Sequence, residues 1–378
     1  MSYPPSRFTK LDGLRGLLSL IVALNHSFLV VAIPAYANVW GQNYSVFHDL
    51  QSKIQQIFML IGNGGVAVTM FFLLSGLVLG QSMSRVEMSA KGLMAFYAKR
   101  ILRLFPVYFA VILITAIYMK VGFDYRVFPH ASTWYLWWMN FQMTLKEFIY
   151  NVFFIHVYLG GVTWTLRVIL IASFIFPFFY LITKKTRWFI DLVIASALIL
   201  GSFTLLNLDG FRDLRYLYMF FLGLTLPKFK NFFSNIPPRL IAFILPFGIF
   251  ILLAIRYATE EYFGGAVESL ISWLFLGVIV YSEKTKIFNA LNSRTLQFFG
   301  KISYSLYLVH FSVLYILGRI MFQFLPGLPY TDHYLLIHIV LFILSLSIAT
   351  LVSIFVHRYI ELPSSSAGNA VSRKILSK

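Results

Sequence analysis

An arginine and a histidine lie on one face of the first apolar segment of this chain. Arg15 and His26 occur within residues 11–27 and have ten residues between them. In a helix, eleven steps of roughly 100° return to nearly the same face, ~16 Å further along the axis. Ionisable residues in membrane helices are costly and are functional candidates by default. A neutral imidazole can act as a general base or as a nucleophile, whereas structural roles for the two residues are surface snorkelling and a buried hydrogen bond.

A second basic pair lies one helical turn apart at the start of the third apolar segment. Arg100 and Arg103 belong to the run 97–106, and side chains at this spacing converge on one helix face. Arginine forks match the oxygen atoms of phosphate groups. Ordinary anchoring at the cytoplasmic surface would also explain the pair. Together with Arg15 at a similar predicted depth, the pair predicts a three-arginine site for a cytoplasmic polyanion.

Four further residues could support chemistry on later segments. Trp164 and Arg167 lie at the outer start of the fourth apolar segment. There, Arg167 could hold an anionic group of an acceptor or snorkel to the surface. Tyr307 and His310 lie one turn apart, near the inner half of the ninth segment. Their hydroxyl and imidazole groups could take part in a reaction or join helices by hydrogen bonds.

Three tryptophans cluster between the third and fourth apolar segments, in a loop predicted to lie on the outer side. They are Trp134, Trp137 and Trp138. Such a cluster is typical of the aromatic belt at a membrane–water interface. A stacking surface for a sugar acceptor is the alternative interpretation.

The composition indicates an integral membrane protein. The 378 residues are 59% hydrophobic and 12% charged, with a mean hydropathy of +0.78, whereas soluble domains contain about 25% charged residues. The chain has no cysteine, which excludes disulfides, thiolate zinc sites and cysteine nucleophiles. No metal site is predicted. The net charge of +17 does not indicate nucleic acid binding, because the basic residues lie in short loops between apolar segments.

About ten apolar segments approach the ~20 residues needed to cross a membrane. The loops that hold most of the Lys and Arg residues belong in the cytoplasm by the positive-inside rule, which places both termini there. We predict an all-α bundle, with a transmembrane domain over residues 1–361 and a disordered or peripheral basic cytoplasmic tail over residues 362–378. The predicted spans are 12–33, 56–82, 100–119, 162–182, 188–207, 214–227, 239–256, 266–281, 302–322 and 334–356.

Taken together, these motifs resemble acyltransferase family 3, whose members include bacterial O-antigen, peptidoglycan and nodulation-factor O-acetyltransferases. The resemblance runs from Leu11 to about Glu361 and covers nearly the whole chain. Each motif alone is weakly specific, but five in the correct order form a specific pattern. The small residues of one of them, Phe71–Gly76, favour helix packing. The matching residues are Arg15 with His26, Phe71–Gly76, Arg100 with Arg103, Trp164–Leu166 and Ile302–His310.

The resemblance implies a membrane O-acyltransferase of the bacterial cytoplasmic (inner) membrane, with no permanently bound cofactor. Its donor would be cytoplasmic acyl-CoA, usually acetyl-CoA. Its acceptor would be a hydroxyl of a cell-surface or lipid-linked carbohydrate. Arg15, Arg100 and Arg103 would bind the donor phosphates. His26, past the predicted midplane, would form the catalytic pair with Arg15, and the four residues on later segments would support the acceptor.

One position departs from the family pattern. Family members commonly have Trp-Ser/Thr-Leu-x-x-Glu at the fourth span, and Ile169 stands at the position of that glutamate. If the carboxylate orients the catalytic histidine, this chain lacks it, so a catalytically impaired member is one alternative. A glycan or lipid transporter or flippase is another, although no internal repeat in the sequence supports it.

Overall fold

The computed structural model describes residues 5–32, 50–122, 126–204, 212–258, 261–282 and 286–377. These residues form a bundle of α-helices, and the β-bridge found among them joins Val31 to Ala131. The all-α prediction is confirmed for this part of the chain. The helices, numbered in chain order, are α1 Pro5–Ser27, α2 Leu50–Ile61, α3 Gly64–Met83, α4 Ala90–Val121, α5 Thr133–Trp137, α6 Leu145–Val152, α7 Thr163–Lys185, α8 Trp188–Thr204, α9 Leu217–Thr225, α10 Lys230–Asn235, α11 Pro238–Ala258, α12 Glu261–Tyr281, α13 Arg294–Phe324, α14 Tyr334–Val356 and α15 Leu362–Ser377.

Within the described residues, six helical stretches are long and apolar enough to cross a membrane. This agrees with the prediction of a membrane protein, whereas about ten spans and two cytoplasmic termini remain predictions. Two shorter apolar stretches lie at Trp188–Phe203 and Pro238–Leu252. The six are Leu50–Met83, Ala90–Val121, Thr163–Lys185, Phe263–Tyr281, Arg294–Phe324 and Tyr334–Ser377.

The first and sixth predicted spans are among those that differ from the helices that are found. The first was expected to continue to residue 33, but α1 ends at Ser27. At the helix end, the carbonyl oxygen of Leu24 accepts from both the Ser27 hydroxyl (2.7 Å) and the backbone N–H of Phe28 (3.3 Å). The sixth predicted span begins in a 3₁₀ turn, Arg212–Tyr216, and its helix α9 has nine residues.

Helices α1 and α13 run parallel, and their backbones touch where glycines meet. A Cβ atom on Gly16 would overlap a carbonyl oxygen of α13, and one on Gly300 would overlap a carbonyl oxygen of α1. Small residues allow this close approach between membrane helices. The two helices meet again further along, where His26 of α1 contacts His310 of α13. The glycine contact therefore fixes the register that brings the two histidines together.

The motif Phe71–Gly76 packs α3 against α9. A Cβ atom on Gly76 would overlap the carbonyl oxygen of Phe220, and one on Gly223 would overlap that of Leu73. The two glycines therefore form a reciprocal backbone contact between the helices. The packing role predicted for this motif agrees with its position.

The C-terminal segment is a helix rather than a disordered tail, and its peripheral, cytoplasmic position remains a prediction. Helix α14 continues through a π-helical turn, His357–Glu361, into α15. Gly368 of α15 is buried and lies against Lys99 and Leu102 of α4. The small residues of the segment permit this contact, which composition alone did not indicate. The domain boundary at residue 361 remains a prediction.

Candidate active site

His26 lies in the last turn of α1, within a shell of aromatic rings. The centroid of its imidazole is 5.4 Å from that of Trp134 in α5 and 5.7 Å from that of Phe311 in α13. The imidazole of His310 lies 5.3 Å away, with its plane only 8° from that of His26. His26 is therefore enclosed by two apolar rings and one ring that can form a hydrogen bond.

The hydrogen bond between His26 and His310 determines which nitrogen of His26 is free. His310 Nδ1 lies 3.1 Å from the carbonyl oxygen of Leu306, which can only accept, so Nδ1 carries the proton of the neutral ring. His310 Nε2 must then accept, and His26 Nδ1, 3.0 Å away, must donate to it. A neutral His26 therefore has its lone pair on Nε2. This arrangement prepares Nε2 of His26 to take up a proton.

The two histidines lie closer together than their predicted depths implied. The sequence placed His26 past the midplane and His310 near the inner half of its span, yet their rings are hydrogen-bonded. The difference arises because α13 begins at Arg294 rather than at residue 302. His310 consequently lies in the middle of a 31-residue helix.

Trp134 reaches His26 because the chain after α1 pairs with the chain before α5. The backbone N–H of Ala32 donates to the carbonyl oxygen of His130 (2.9 Å), and that of Ser132 donates to the carbonyl oxygen of Val30 (3.0 Å). This short antiparallel contact places the start of α5 directly beside the end of α1.

Side-chain hydrogen bonds then hold α5 in place. The Ser132 hydroxyl donates to the carbonyl oxygen of Leu29 and accepts from the backbone N–H of Tyr135 (3.0 Å), so it caps the helix. The Tyr135 hydroxyl donates to the carbonyl oxygen of Tyr315 (2.7 Å). Burial raises the pKa of Tyr135 well above its ordinary value, which keeps this donor protonated. Trp134 is thus fixed from both sides.

The three predicted donor arginines lie near the middle of α1, about three helical turns from His26, and their charges interact. Arg15 forms an ion pair with Asp12, with 2.6 Å between Nη1 and Oδ1, and it also lies within electrostatic reach of Arg103. Arg100 interacts with Arg103 as well, and its Nη2 donates to the hydroxyl of Ser173 in α7 (3.0 Å). The structure therefore brings together the arginines that the sequence grouped.

Two of these guanidinium groups have N–H donors available for a ligand. Within the described part of the chain, Arg103 is exposed and has neither a hydrogen-bond nor an ion-pair partner. Nε of Arg100 is buried, also without a hydrogen-bond partner there. An unpaired buried donor is costly, and a phosphate oxygen would satisfy it. The arginine cluster, Arg15 with Arg100 and Arg103, therefore fits an anion that carries several phosphate oxygens.

Residues that the sequence analysis did not single out lie beside the arginine cluster. The Tyr304 hydroxyl donates to the carbonyl oxygen of Leu104 (2.6 Å), and its ring lies within electrostatic reach of Arg100, Arg103 and Glu361. Glu361 accepts from the hydroxyl of Ser305 (2.6 Å) and pairs with Nδ1 of His357 (2.9 Å). The π-helical turn that contains His357 and Glu361 is thus hydrogen-bonded to α13 beside the arginine cluster.

Trp164 and Arg167 contact a different part of the fold from the residues that contact His26. The ring of Trp164 lies 5.2 Å from that of Tyr216. Arg167 forms an ion pair with Asp213 and donates to the carbonyl oxygen of Phe154 (3.1 Å). These contacts link α7 to the 3₁₀ turn before α9 and to the chain after α6. Their predicted part in acceptor binding remains a prediction.

Tyr307 joins two helices beside His310. Its hydroxyl is hydrogen-bonded to that of Thr165 in α7 (3.0 Å), and its ring lies 5.9 Å from that of His310. The hydrogen bond links α7 to α13, as expected for a residue that joins helices. His310 instead directs its Nε2 to His26.

A comparison with protein families identifies the broad class. Residues 8–358 match the sequence profile of a family described as an acyltransferase domain, which is nearly the whole chain. The chain belongs to acyltransferase family 3. No match was found among curated proteins or among solved structures. Family membership and the apolar helices together support a membrane acyltransferase.

The acyltransferase has an apolar residue where its family commonly has a glutamate. Ile169 packs against both groups of buried hydrophobic residues in the bundle. In the described part of the chain, the hydrogen-bond partner of His26 is the imidazole of His310 rather than a carboxylate. A second imidazole therefore orients His26 in this acyltransferase.

Trp134 and Phe311 contact His26, and the sequence analysis expected neither contact. Trp134 was assigned to an interfacial belt, but only 6% of it is exposed, whereas its neighbour Trp137 is 75% exposed. Ser132, a favoured N-cap residue directly before the short helix, was the signal for a structured element here. Phe311 directly follows His310 in the chain, and His310 was already named as a candidate residue. Its position next to that candidate was the signal for Phe311.

Proposed function

We propose that this acyltransferase moves an acyl group, acetyl in the simplest case, from acyl-CoA to a hydroxyl of a cell-surface or lipid-linked carbohydrate. The observation that carries the proposal is the directed hydrogen bond from His26 to His310. It leaves a lone pair on His26 Nε2, as a general base for a hydroxyl group requires. The arginine cluster supports a polyanionic donor near the middle of α1, about three helical turns from His26.

The arginine cluster would hold the phosphates of coenzyme A. Arg103 and Nε of Arg100 have donors without protein partners in the described residues, and phosphate oxygens would accept from them. Helix α1 spaces Arg15 and His26 ~16 Å apart along its axis. The extended pantetheine arm would span this distance and bring the thioester to His26. Under the positive-inside rule the arginines face the cytoplasm of a bacterial inner membrane, and His26 lies toward the acceptor side.

The transfer would proceed through addition of the acceptor oxygen to the thioester carbonyl carbon. His26 Nε2 takes the hydroxyl proton as the C–O bond forms. The C–S bond then breaks, and the coenzyme A thiolate leaves with the proton from His26. Throughout, His26 Nδ1–H remains bonded to His310 Nε2, which holds the ring in place while it is positively charged. The rings of Trp134 and Phe311 keep water away from the thioester.

The proposal is tested with purified protein in lipid nanodiscs. Radiolabelled acetyl-CoA is supplied together with surface glycan from the source cells, after mild alkali has removed its O-acyl groups. We expect His26→Ala to lower the rate of acetyl transfer by at least about a hundredfold without changing acetyl-CoA binding. His333→Ala, which changes an exposed histidine, is the matched control.

Three results would contradict the proposal. Transfer retained by His26→Ala would exclude the general-base role. A wild-type protein that acetylates no glycan would exclude the carbohydrate acceptor. Movement of unmodified glycan across proteoliposomes without acetylation would identify a transporter instead.

A further inference from the structure

Two polar side-chain atoms in the segment after α5 are buried and have no hydrogen-bond partner among the described residues. They are Nε1 of Trp138, which can only donate, and Oδ1 of Asn140, which can only accept. Buried polar atoms in folded proteins are nearly always paired. An unpaired donor and an unpaired acceptor two residues apart therefore require an explanation, and the transfer step described above uses neither.

The residue between them holds the segment in an unusual conformation. Met139 has a φ angle of 49° although it is not glycine, and its side chain is fully buried. The left-handed region is unfavourable for residues with a side chain. The burial of Met139 thus stabilises a local conformation in which the side chains of Trp138 and Asn140 keep unpaired polar atoms.

Phe311 connects this segment to His26. The ring centroid of Trp138 lies 6.0 Å from that of Phe311, and the Phe311 ring lies 5.7 Å from the imidazole of His26. The Phe311 ring also lies 5.6 Å from that of Trp134. The backbone at Gly161 approaches both Phe311 and Trp138 so closely that a side chain there would collide with them. Trp138 is therefore one aromatic ring away from the proposed base.

We propose that Trp138 and Asn140 form the acceptor subsite and that they recognise a hydroxyl-bearing sugar ring. This inference rests on the proposed function and deepens it. The indole N–H donates to one sugar oxygen, and Oδ1 of Asn140 accepts from a sugar hydroxyl. A sugar suits both atoms because each of its hydroxyls can donate and accept, whereas a lipid tail would leave both unpaired.

The aromatic surroundings suit the same ligand. Indole rings offer an apolar face together with one polar edge, which matches the mixed surface of a sugar ring. Arg167 at the start of α7 is less suited to the acceptor. It is already paired with Asp213, so its charge is neutralised within the protein.

Direct binding of glycan tests the subsite without any transfer step. The probe is the de-O-acylated surface glycan, titrated into nanodisc-embedded protein in the absence of acyl-CoA and followed by calorimetry. We expect Trp138→Phe and Asn140→Leu each to weaken glycan binding about five- to tenfold. Asn140→Leu keeps nearly the same side-chain volume, so its melting temperature should stay the same or rise because an unpaired buried polar atom is removed. Trp138→Phe also shrinks a ring that packs beside Phe311 and Gly161, so its melting temperature should fall. Trp137→Phe, at the exposed neighbouring position, should bind glycan like the wild type.

Each outcome of this experiment has a defined meaning. Glycan binding at wild-type affinity in both variants would overturn the subsite, as would a wild-type protein that does not bind the glycan. Weaker glycan binding by Asn140→Leu together with a lower melting temperature would also count against the subsite, because a residue needed only for packing would lose both binding and stability. If the wild type binds glycan through these residues but transfers no acetyl group, the proposed function fails and the subsite stands.

Discussion

His26 donates a hydrogen bond from Nδ1 to Nε2 of His310 over 3.0 Å, and the carbonyl oxygen of Leu306 fixes that direction. Two imidazoles in series thus take the place of the familiar histidine–carboxylate pair. The second imidazole is neutral when it accepts, so its contribution is mainly orientation, with less electrostatic stabilisation than a carboxylate would give. This difference shapes the predictions below.

Replacing His310 should slow the transfer step and leave donor binding unchanged. In His310→Leu the Nδ1–H of His26 loses its acceptor, so we expect kcat for acetyl transfer to fall about a hundredfold or more. In His310→Gln an amide oxygen can accept instead, so we expect activity between those of the leucine variant and the wild type. Steady-state kinetics checks both changes. Equal activity of the glutamine and leucine variants would show that the hydrogen bond does not matter.

Removing Arg103 should weaken acyl-CoA binding without destabilising the protein. Its guanidinium has no hydrogen-bond or ion-pair partner among the described residues, so its loss breaks no contact there. A charge-assisted hydrogen bond contributes about 1.5–3 kcal/mol, so Kd for acetyl-CoA should rise roughly ten- to a hundredfold in Arg103→Ala. Isothermal calorimetry measures this change. The exposed Lys99 offers a matched control, and an equal effect of Lys99→Ala would indicate only a general charge contribution.

Restoring the family acid should not increase activity. Ile169 packs among buried hydrophobic residues, and the Nδ1 proton of His26 is already bound to His310. An unpaired carboxylate in these surroundings costs several kcal/mol, so we expect Ile169→Glu to melt at a lower temperature and to transfer no faster than the wild type. Thermal unfolding and transfer assays are compared with those of Ile169→Leu. A faster glutamate variant would mean that the natural chain is catalytically impaired.

Loss of the Ser132 hydroxyl should act on activity through Trp134. Ser132→Ala removes the cap of α5 and the hydrogen bond to Leu29, at a cost of ~1 kcal/mol. Because α5 carries Trp134, the variant holds the indole beside His26 less firmly. We expect lower transfer and more hydrolysis of acetyl-CoA per folded molecule. The comparison is Ser89→Ala, which removes the cap of α4, distant from His26 in the chain. If the two variants hydrolyse acetyl-CoA at the same rate, α5 does not serve to exclude water from the thioester.

A methyl group at the crossing of α1 and α13 should disrupt folding. In Gly16→Ala the new Cβ overlaps a backbone carbonyl that cannot move without shifting a helix, so we expect a large loss of folded protein. Gly201→Ala adds the same methyl where no atom lies within 4 Å. It should gain up to about 1 kcal/mol from helix propensity. Yield and fluorescence-detected gel filtration would distinguish the two, and equal behaviour would show that the crossing tolerates a side chain.

Features that depend on local spacing could be predicted from the sequence. The face shared by Arg15 and His26 follows from helical periodicity, and the grouping of Arg100 with Arg103 follows from their separation by one turn. The length and apolar character of individual segments likewise predicted a helical membrane bundle. Each of these inferences needs only neighbouring residues and the geometry of one helix.

Features that depend on contacts between distant residues could not be predicted in this way. The His26–His310 bond joins residues 284 positions apart, and its direction depends on the carbonyl of Leu306. Trp134 resembled a residue of the interfacial belt because no local signal reports that residues 130–132 pair with the end of α1. The C-terminal helix shows the same difficulty, because its packing against α4 joins residues far apart in the chain.

Helix α15 has a consequence for how this protein can be handled. Its buried Gly368 lies against Lys99 and Leu102, on the same helix as Arg100 and Arg103. An affinity tag or fluorescent fusion attached beyond α15 would therefore be joined to a helix that packs against the helix carrying these arginines. The N-terminal side of α1 is no freer, because Gly13 touches the chain before α13. Loop insertions offer attachment points that leave both ends untouched.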